Sequence, residues 1–121
     1  CDNHEIDKIN IHNATLKSMK KAINNLDLNP KIAYIDGKFV PNLDIDCKSI
    51  IRGDEIMPEI SAASVVAKVL RDNYMIYLDK ILPVYRFKKN KGYGTSDHIK
   101  ALNLFGPSIH HRFSFSPLSE I

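Results

Sequence analysis

The chain has 121 residues, of which 44% are hydrophobic and 26% charged, a balance that suits one globular domain or a piece of one and excludes disorder, a fibrous repeat and two independent domains. No apolar run approaches the roughly 20 residues that a membrane-spanning helix needs, so no membrane partner is expected. The net charge of +3 permits a polyanionic partner without requiring one. Two cysteines, Cys1 and Cys47, are too few for a disulfide framework and wrongly spaced for a zinc site, and a cytoplasmic location is expected.

Ile9, Leu16, Met19, Ile23 and Leu26 fall on one apolar stripe and predict a helix from about Asn10 to Leu26, ended by Asn29-Pro30. Ile32-Ala33-Tyr34-Ile35 is a short, partly β-branched run stopped by Asp36-Gly37, which reads as a buried strand with an acid at its carboxyl end. Pro41 to Asp46 is a connection, and a second strand, Ser49-Ile50-Ile51, runs into Gly53-Asp54. The clearest helix follows, with the stripe Ile60, Ala63, Ala67, Leu70, Tyr74, Tyr77 and Ile81, Pro58 in its first turn and Pro83 as its stop. Tyr85 to Lys91 is the densest basic stretch, with Arg86, Lys88, Lys89 and Lys91 around Phe87. It suits a phosphate backbone, and a solvated loop would look the same. After Gly92-Tyr93-Gly94, Thr95 or Ser96 caps a helix with the stripe Ile99, Leu102 and Phe105, closed by Gly106-Pro107. Two strands make a poor sheet by themselves, so the chain reads as part of a larger α/β unit.

Asp36 and Asp54 each follow a strand-like run beside a glycine. If the strands are neighbours, the two carboxylates meet at the carboxyl edge of one sheet, where open α/β sheets place ligands. Hard oxygen donors in that position suit Mg²⁺ or Mn²⁺ and, through the ion, substrate phosphates; the plainer alternative is that each acid caps a turn. On the long helix Ser61, Ser64, Lys68 and Arg71 share a face, and hydroxyls with a cation one turn on suit a phosphate, although an ordinary polar face has the same pattern. Tyr93, between two glycines, is placed to bring a phenol ring to a sugar or to cover the edge of the core. His110 and His111 invite an acid–base reading, but adjacent histidines in a short turn more often pack or face water.

These stretches, in their order and spacing, resemble ribonuclease HII. The segments that carry the resemblance are Ile6-Asp7 with Asn10-Ile11, Ile35-Asp36-Gly37, Arg52-Gly53-Asp54, Ile60-Ser61-Ala62-Ala63-Ser64-Val65-Val66-Ala67-Lys68-Val69 with Arg71-Asp72, Asn90-Lys91-Gly92-Tyr93-Gly94-Thr95 with His98, and His111-Arg112-Phe113-Ser114-Phe115. The last two favour the bacterial form. The resemblance implies an incomplete ribonuclease H-like α/β fold, with residues 1–121 as the carboxy-terminal part of a single catalytic domain that includes its helical carboxy-terminal extension. It implies endonucleolytic hydrolysis of the RNA strand of RNA–DNA hybrids, and of DNA with embedded ribonucleotides, by a two-metal mechanism using Mg²⁺ or Mn²⁺. Asp36 and Asp54 align with the third and fourth metal-site acids and are the expected catalytic and metal-binding residues. Tyr93 aligns with the tyrosine that senses the ribose 2′-hydroxyl, and Ser64, Lys68 and Lys91 are the further expected substrate contacts.

The family opens with a strand bearing an adjacent Asp-Glu pair and then a glycine–arginine–glycine loop, and neither precedes Asp36; Glu5 and Asp7 lie in a different family segment. The sequence therefore reads as a portion that needs an amino-terminal remainder as its partner and is inactive alone. The alternative function is a non-catalytic nucleic-acid-binding module.

Overall fold

Asp2 opens the first helix, α1 (Asn3–Asn24), by accepting a hydrogen bond from the Glu5 N–H at 2.8 Å. In this computed structural model, which describes residues 1–120, α1 breaks at Asn10, whose backbone (φ 65°, ψ 165°) is not helical. The Asn10 side chain accepts from the Asn13 N–H at 3.0 Å and so restarts the helix. The main helix thus starts at about Asn10, as expected, while Ile9, expected on its stripe, lies before the break. The short stretch before Asn10 is an additional helical segment, held to the main one by Glu5, which pairs with Lys17 and with Lys21. The helix ends at Asn24, and Leu26, expected on the stripe, is exposed.

Strands β1 (Ile32–Asp36) and β2 (Asp46–Ile50) pair in parallel, from Ile32 opposite Asp46 to Asp36 opposite Ile50. The second strand starts earlier than its apolar run because backbone pairing with β1, and not side-chain character, decides where a ladder begins. Helix α2 (Gly53–Ile56) follows, then α3 (Pro58–Ile81) with the proline-marked start and stop that were expected. A turn of 3-10 helix (Pro83–Tyr85), α4 (Phe87–Asn90), α5 (Ser96–Phe105) and a final 3-10 turn (Leu118–Glu120) complete the described chain. The mixed α/β class expected from the sequence is what forms. No helix among the described residues is long and apolar enough to cross a membrane.

The chain divides into two compact units, Cys1–Ser64 and Val65–Ile121. In the first, Ala14, Ile35 and Ile60 are buried; in the second, the core is Met75, Leu78, Tyr85, Phe87, Ala101 and Leu102, with Leu82 packed against it. This corrects the stripe read on α3. Leu70, Tyr74, Tyr77 and Ile81 are exposed, while Met75 and Leu78 carry the burial. Met75, Leu78 and Leu82 also recur at helical spacing, so α3 offers two apolar rows. The row that is buried in this unit is the one met by Tyr85, Phe87 and α5 on the chain's return.

Candidate active site

Because β1 and β2 are parallel, Asp36 and the turn after Ile50 leave the sheet at the same end. Arg52 then adopts a left-handed conformation (φ 57°, ψ 40°), uncommon for a residue with a side chain. After this turn the Gly53 N–H donates to Asp36 Oδ1 at 2.8 Å. A Cβ at position 53 would lie 2.6 Å from Ile60 Cδ1 and 3.4 Å from Ile50 Cβ, so the Ile60 side chain would have to shift to admit one. Arg52 turns its guanidinium to Glu55, with Nε donating at 3.0 Å. Asp54 stands in the first turn of α2, exposed, and its carboxylate makes no hydrogen bond or ion pair among the described residues.

Asp36 therefore does part of what a turn-capping acid does, using one oxygen and keeping the other. Asp54 does not cap. Two such carboxylates are a hard donor set of the kind that Mg²⁺ or Mn²⁺ takes alongside water and substrate phosphates. No group of three or more His, Cys, Asp or Glu side chains able to hold a metal ion occurs among the described residues.

The helix residues expected near a phosphate are locally engaged. Ser64 is exposed, with its hydroxyl donating to the Ser61 carbonyl at 2.8 Å. Lys68 is exposed and paired with Asp72 at 3.0 Å, a hydrogen bond that holds the Asp72 carboxyl below its usual range. Exposed pairs of this kind contribute little to stability and leave the cation exchangeable toward a phosphate. In the basic stretch, Arg86 and Lys89 both reach Asp97 Oδ2, at 3.5 and 3.0 Å, and Lys89 is the main reason its carboxyl lies below the ordinary range. Part of the positive charge counted from sequence is thereby offset.

Lys91 ends α4 in a left-handed conformation (φ 52°), and Gly92 continues at φ 81°, with Met75 Cε only 3.0 Å from where a Cβ would stand. Asn90, buried, braces this turn: its amide donates to the Tyr85 carbonyl at 2.6 Å and its Oδ1 accepts from the Gly92 N–H at 2.9 Å. Tyr93 is 70% exposed. Its ring is presented to solvent, which disfavours the reading of a core-edge aromatic. Its backbone is held by Asn90 O, by the Thr95 N–H and by His98, whose Nδ1 lies 2.9 Å from the Tyr93 carbonyl.

Residues 1–117 match the ribonuclease HII family. This chain belongs to that family. It is 50% identical over its full length to the ribonuclease HII of Dichelobacter nodosus, of which it covers 64%. It is 46% identical to that of Caldicellulosiruptor bescii and 45% identical to that of Verminephrobacter eiseniae, with 94% and 95% of the chain aligned, in each case over 55% of the relative. The chain thus spans a little over half to just under two thirds of the length of these relatives. Its two parallel strands and several helices are consistent with an incomplete ribonuclease H-like fold of the ribonuclease HII family.

Sequence reasoning missed one feature of this ribonuclease HII chain. His98 and His111 are both buried, their Nε2 atoms lie 3.1 Å apart, and their rings pack against those of Tyr85 and Phe87. No spacing rule announces a contact made through two turns of chain. Burial first, and then His98, lower the His111 pKa from its ordinary 6.5 to about 4. The unfolded state therefore binds more protons than the folded state between about pH 6.5 and 4, and the stability associated with a neutral His111 is lost as pH falls through that window. The expected loss is on the order of 2–3 kcal/mol, read by denaturant unfolding at a series of pH values. His111→Phe should flatten that part of the slope, and a slope unchanged by the substitution would assign the acid sensitivity elsewhere.

Proposed function

We propose that the protein is an endonuclease that hydrolyses the RNA strand of RNA–DNA hybrids and cuts at ribonucleotides embedded in DNA. The family match over residues 1–117 carries this reading. The common sheet end shared by Asp36 and the Asp54 turn supports it. Asp36 and Asp54 are the residues that would hold Mg²⁺ or Mn²⁺. Two such ions, when bound, supply the charge that activates water and stabilises pentacoordinate phosphorus, leaving a 5′-phosphate and a 3′-hydroxyl.

The chain's own residues do the rest. Asp36 stays oriented through its bond from Gly53, and Asp54, unpaired among the described residues, is left for the ion. Ser64, Lys68 and Lys91 contact the phosphate backbone, Lys68 by exchanging Asp72 for a phosphate oxygen. Tyr93 meets the sugar and distinguishes ribose from deoxyribose at the 2′-hydroxyl.

Residues 1–121 alone are inactive on this reading, because two carboxylates fall short of a two-ion shell and the others come from the rest of the domain. Labelled hybrid is incubated with the isolated chain and with the full-length protein, each with Mg²⁺ or Mn²⁺. Cleavage by the full-length protein only is the expected result. Metal-dependent cleavage by the isolated chain that Asp54→Asn abolishes would overturn the claim of inactivity, and failure of the full-length protein to cut would overturn the assigned reaction.

A further inference from the structure

The hydrogens along the buried histidine pair can be placed by elimination. The Ser108 backbone N–H can only donate, and it points to His111 Nδ1 at 2.9 Å, so that nitrogen carries no proton. In the neutral ring the proton is then on Nε2, which donates to His98 Nε2. From the other end, the Tyr93 carbonyl can only accept, so His98 Nδ1 carries a proton and its Nε2 is free to accept. Two independent ends give one assignment: Ser108 to His111 to His98 to Tyr93. The Ser108 hydroxyl, 2.8 Å from His111 Nδ1, accepts from the His110 N–H at 3.3 Å.

Tyr93 needs such a support. Its ring is largely exposed and its neighbours are glycines, so its orientation depends mainly on what grips its backbone. We propose that His98 and His111 are positioning residues that fix the Tyr93 backbone through a chain of directed hydrogen bonds and so set the angle at which the phenol meets the nucleotide sugar. The proposal rests on the reading of Tyr93 as a sugar contact. A proton added to either ring would set two N–H groups against each other across 3.1 Å or displace Ser108. Among the described residues, the groups facing the pair include the Tyr85 and Phe87 rings, Ser108 and His110 from the turn that carries His111, and the Tyr93 carbonyl. Arg112 borders the same hollow, which no carboxylate among the described residues lines. Burial and the neighbouring His98 outweigh the Ser108 backbone bond and hold the basicity of His111 down.

The test uses the full-length protein. Long-range ¹H–¹⁵N spectra of the imidazoles should show His98 protonated on Nδ1 and His111 on Nε2, with the His111 ring not titrating between about pH 8 and 6. The opposite tautomers, or titration of His111 in that range, would overturn the chain of bonds. Single-turnover cleavage of a duplex with one ribonucleotide is then measured for His111→Phe, which keeps a ring against Tyr85 and Phe87. A fall of about tenfold in the cleavage step with little change in duplex affinity is expected, with partial recovery in His111→Gln, whose amide can donate to His98. Unchanged cleavage by folded His111→Phe would overturn the positioning role, provided that Tyr93→Ala is impaired in the same assay. If Tyr93→Ala is also unimpaired, the reading of Tyr93 has failed, and the spectra alone decide whether the histidine chain holds its backbone. Should His111→Phe not fold, the wild-type spectra still decide the assignment.

Discussion

Asp54→Asn in the full-length protein is expected to lower metal-dependent cleavage of an RNA–DNA hybrid by at least about 10²–10³-fold while leaving thermal stability unchanged. The two halves of that expectation have different physical sources. Asp54 is exposed and unpartnered among the described residues, so removing its charge breaks no contact that holds the fold, and such substitutions stay within about 0.5 kcal/mol. The same charge is what a divalent ion would use, and an amide oxygen is a weaker, neutral donor in its place. Asp36 separates further. Asp36→Asn keeps an oxygen for the Gly53 N–H, so activity should fall with only a small loss of stability, whereas Asp36→Ala orphans that N–H and should cost about 1–3 kcal/mol in addition. Cleavage assays and thermal melts on the three variants check both parts. Near-normal cleavage by Asp54→Asn would remove it from the metal site.

Tyr93→Ala is expected to be severe and Tyr93→Phe mild. The phenylalanine retains the ring that covers the sugar and loses only a hydrogen bond to a neutral hydroxyl, about 0.5–1.5 kcal/mol, or roughly twofold to just over tenfold in rate. The alanine also removes the packing that aligns the nucleotide, and misplacement by about 1 Å can cost on the order of 10²-fold. Stability should barely register either change, since the ring is 70% exposed and buries little against the protein. Single-turnover cleavage of a duplex with one ribonucleotide, beside thermal melts, reads both. A Tyr93→Ala protein that melts normally and cuts normally would exclude Tyr93 from substrate contact, and one that melts far lower while cutting normally per folded molecule would make it a core aromatic.

What the sequence by itself determined are the features whose causes are local. Asn10, Pro58, Thr95 and Gly106 mark helix boundaries because capping and backbone restriction act within a turn or two, and each does so in the structure. The strand at Ile32 and the acids at Asp36 and Asp54 were legible for the same reason, as was membership of the family, which rests on short motifs in order. Tertiary structure alone decided the rest. Periodicity identified α3 but not its buried row in the second unit, because Met75 and Leu78 compete with Leu70, Tyr74 and Tyr77 on similar terms until Tyr85, Phe87 and α5 pack against one of them. The parallel pairing that carries Asp36 and Gly53 to a common end, and the left-handed turn at Arg52, depend on contacts between separated segments. So does the meeting of His98 with His111: their nearest partners, Tyr93 and Ser108, are local, but the contact between the two rings joins residues separated along the chain, and no property of the isolated residues encodes it.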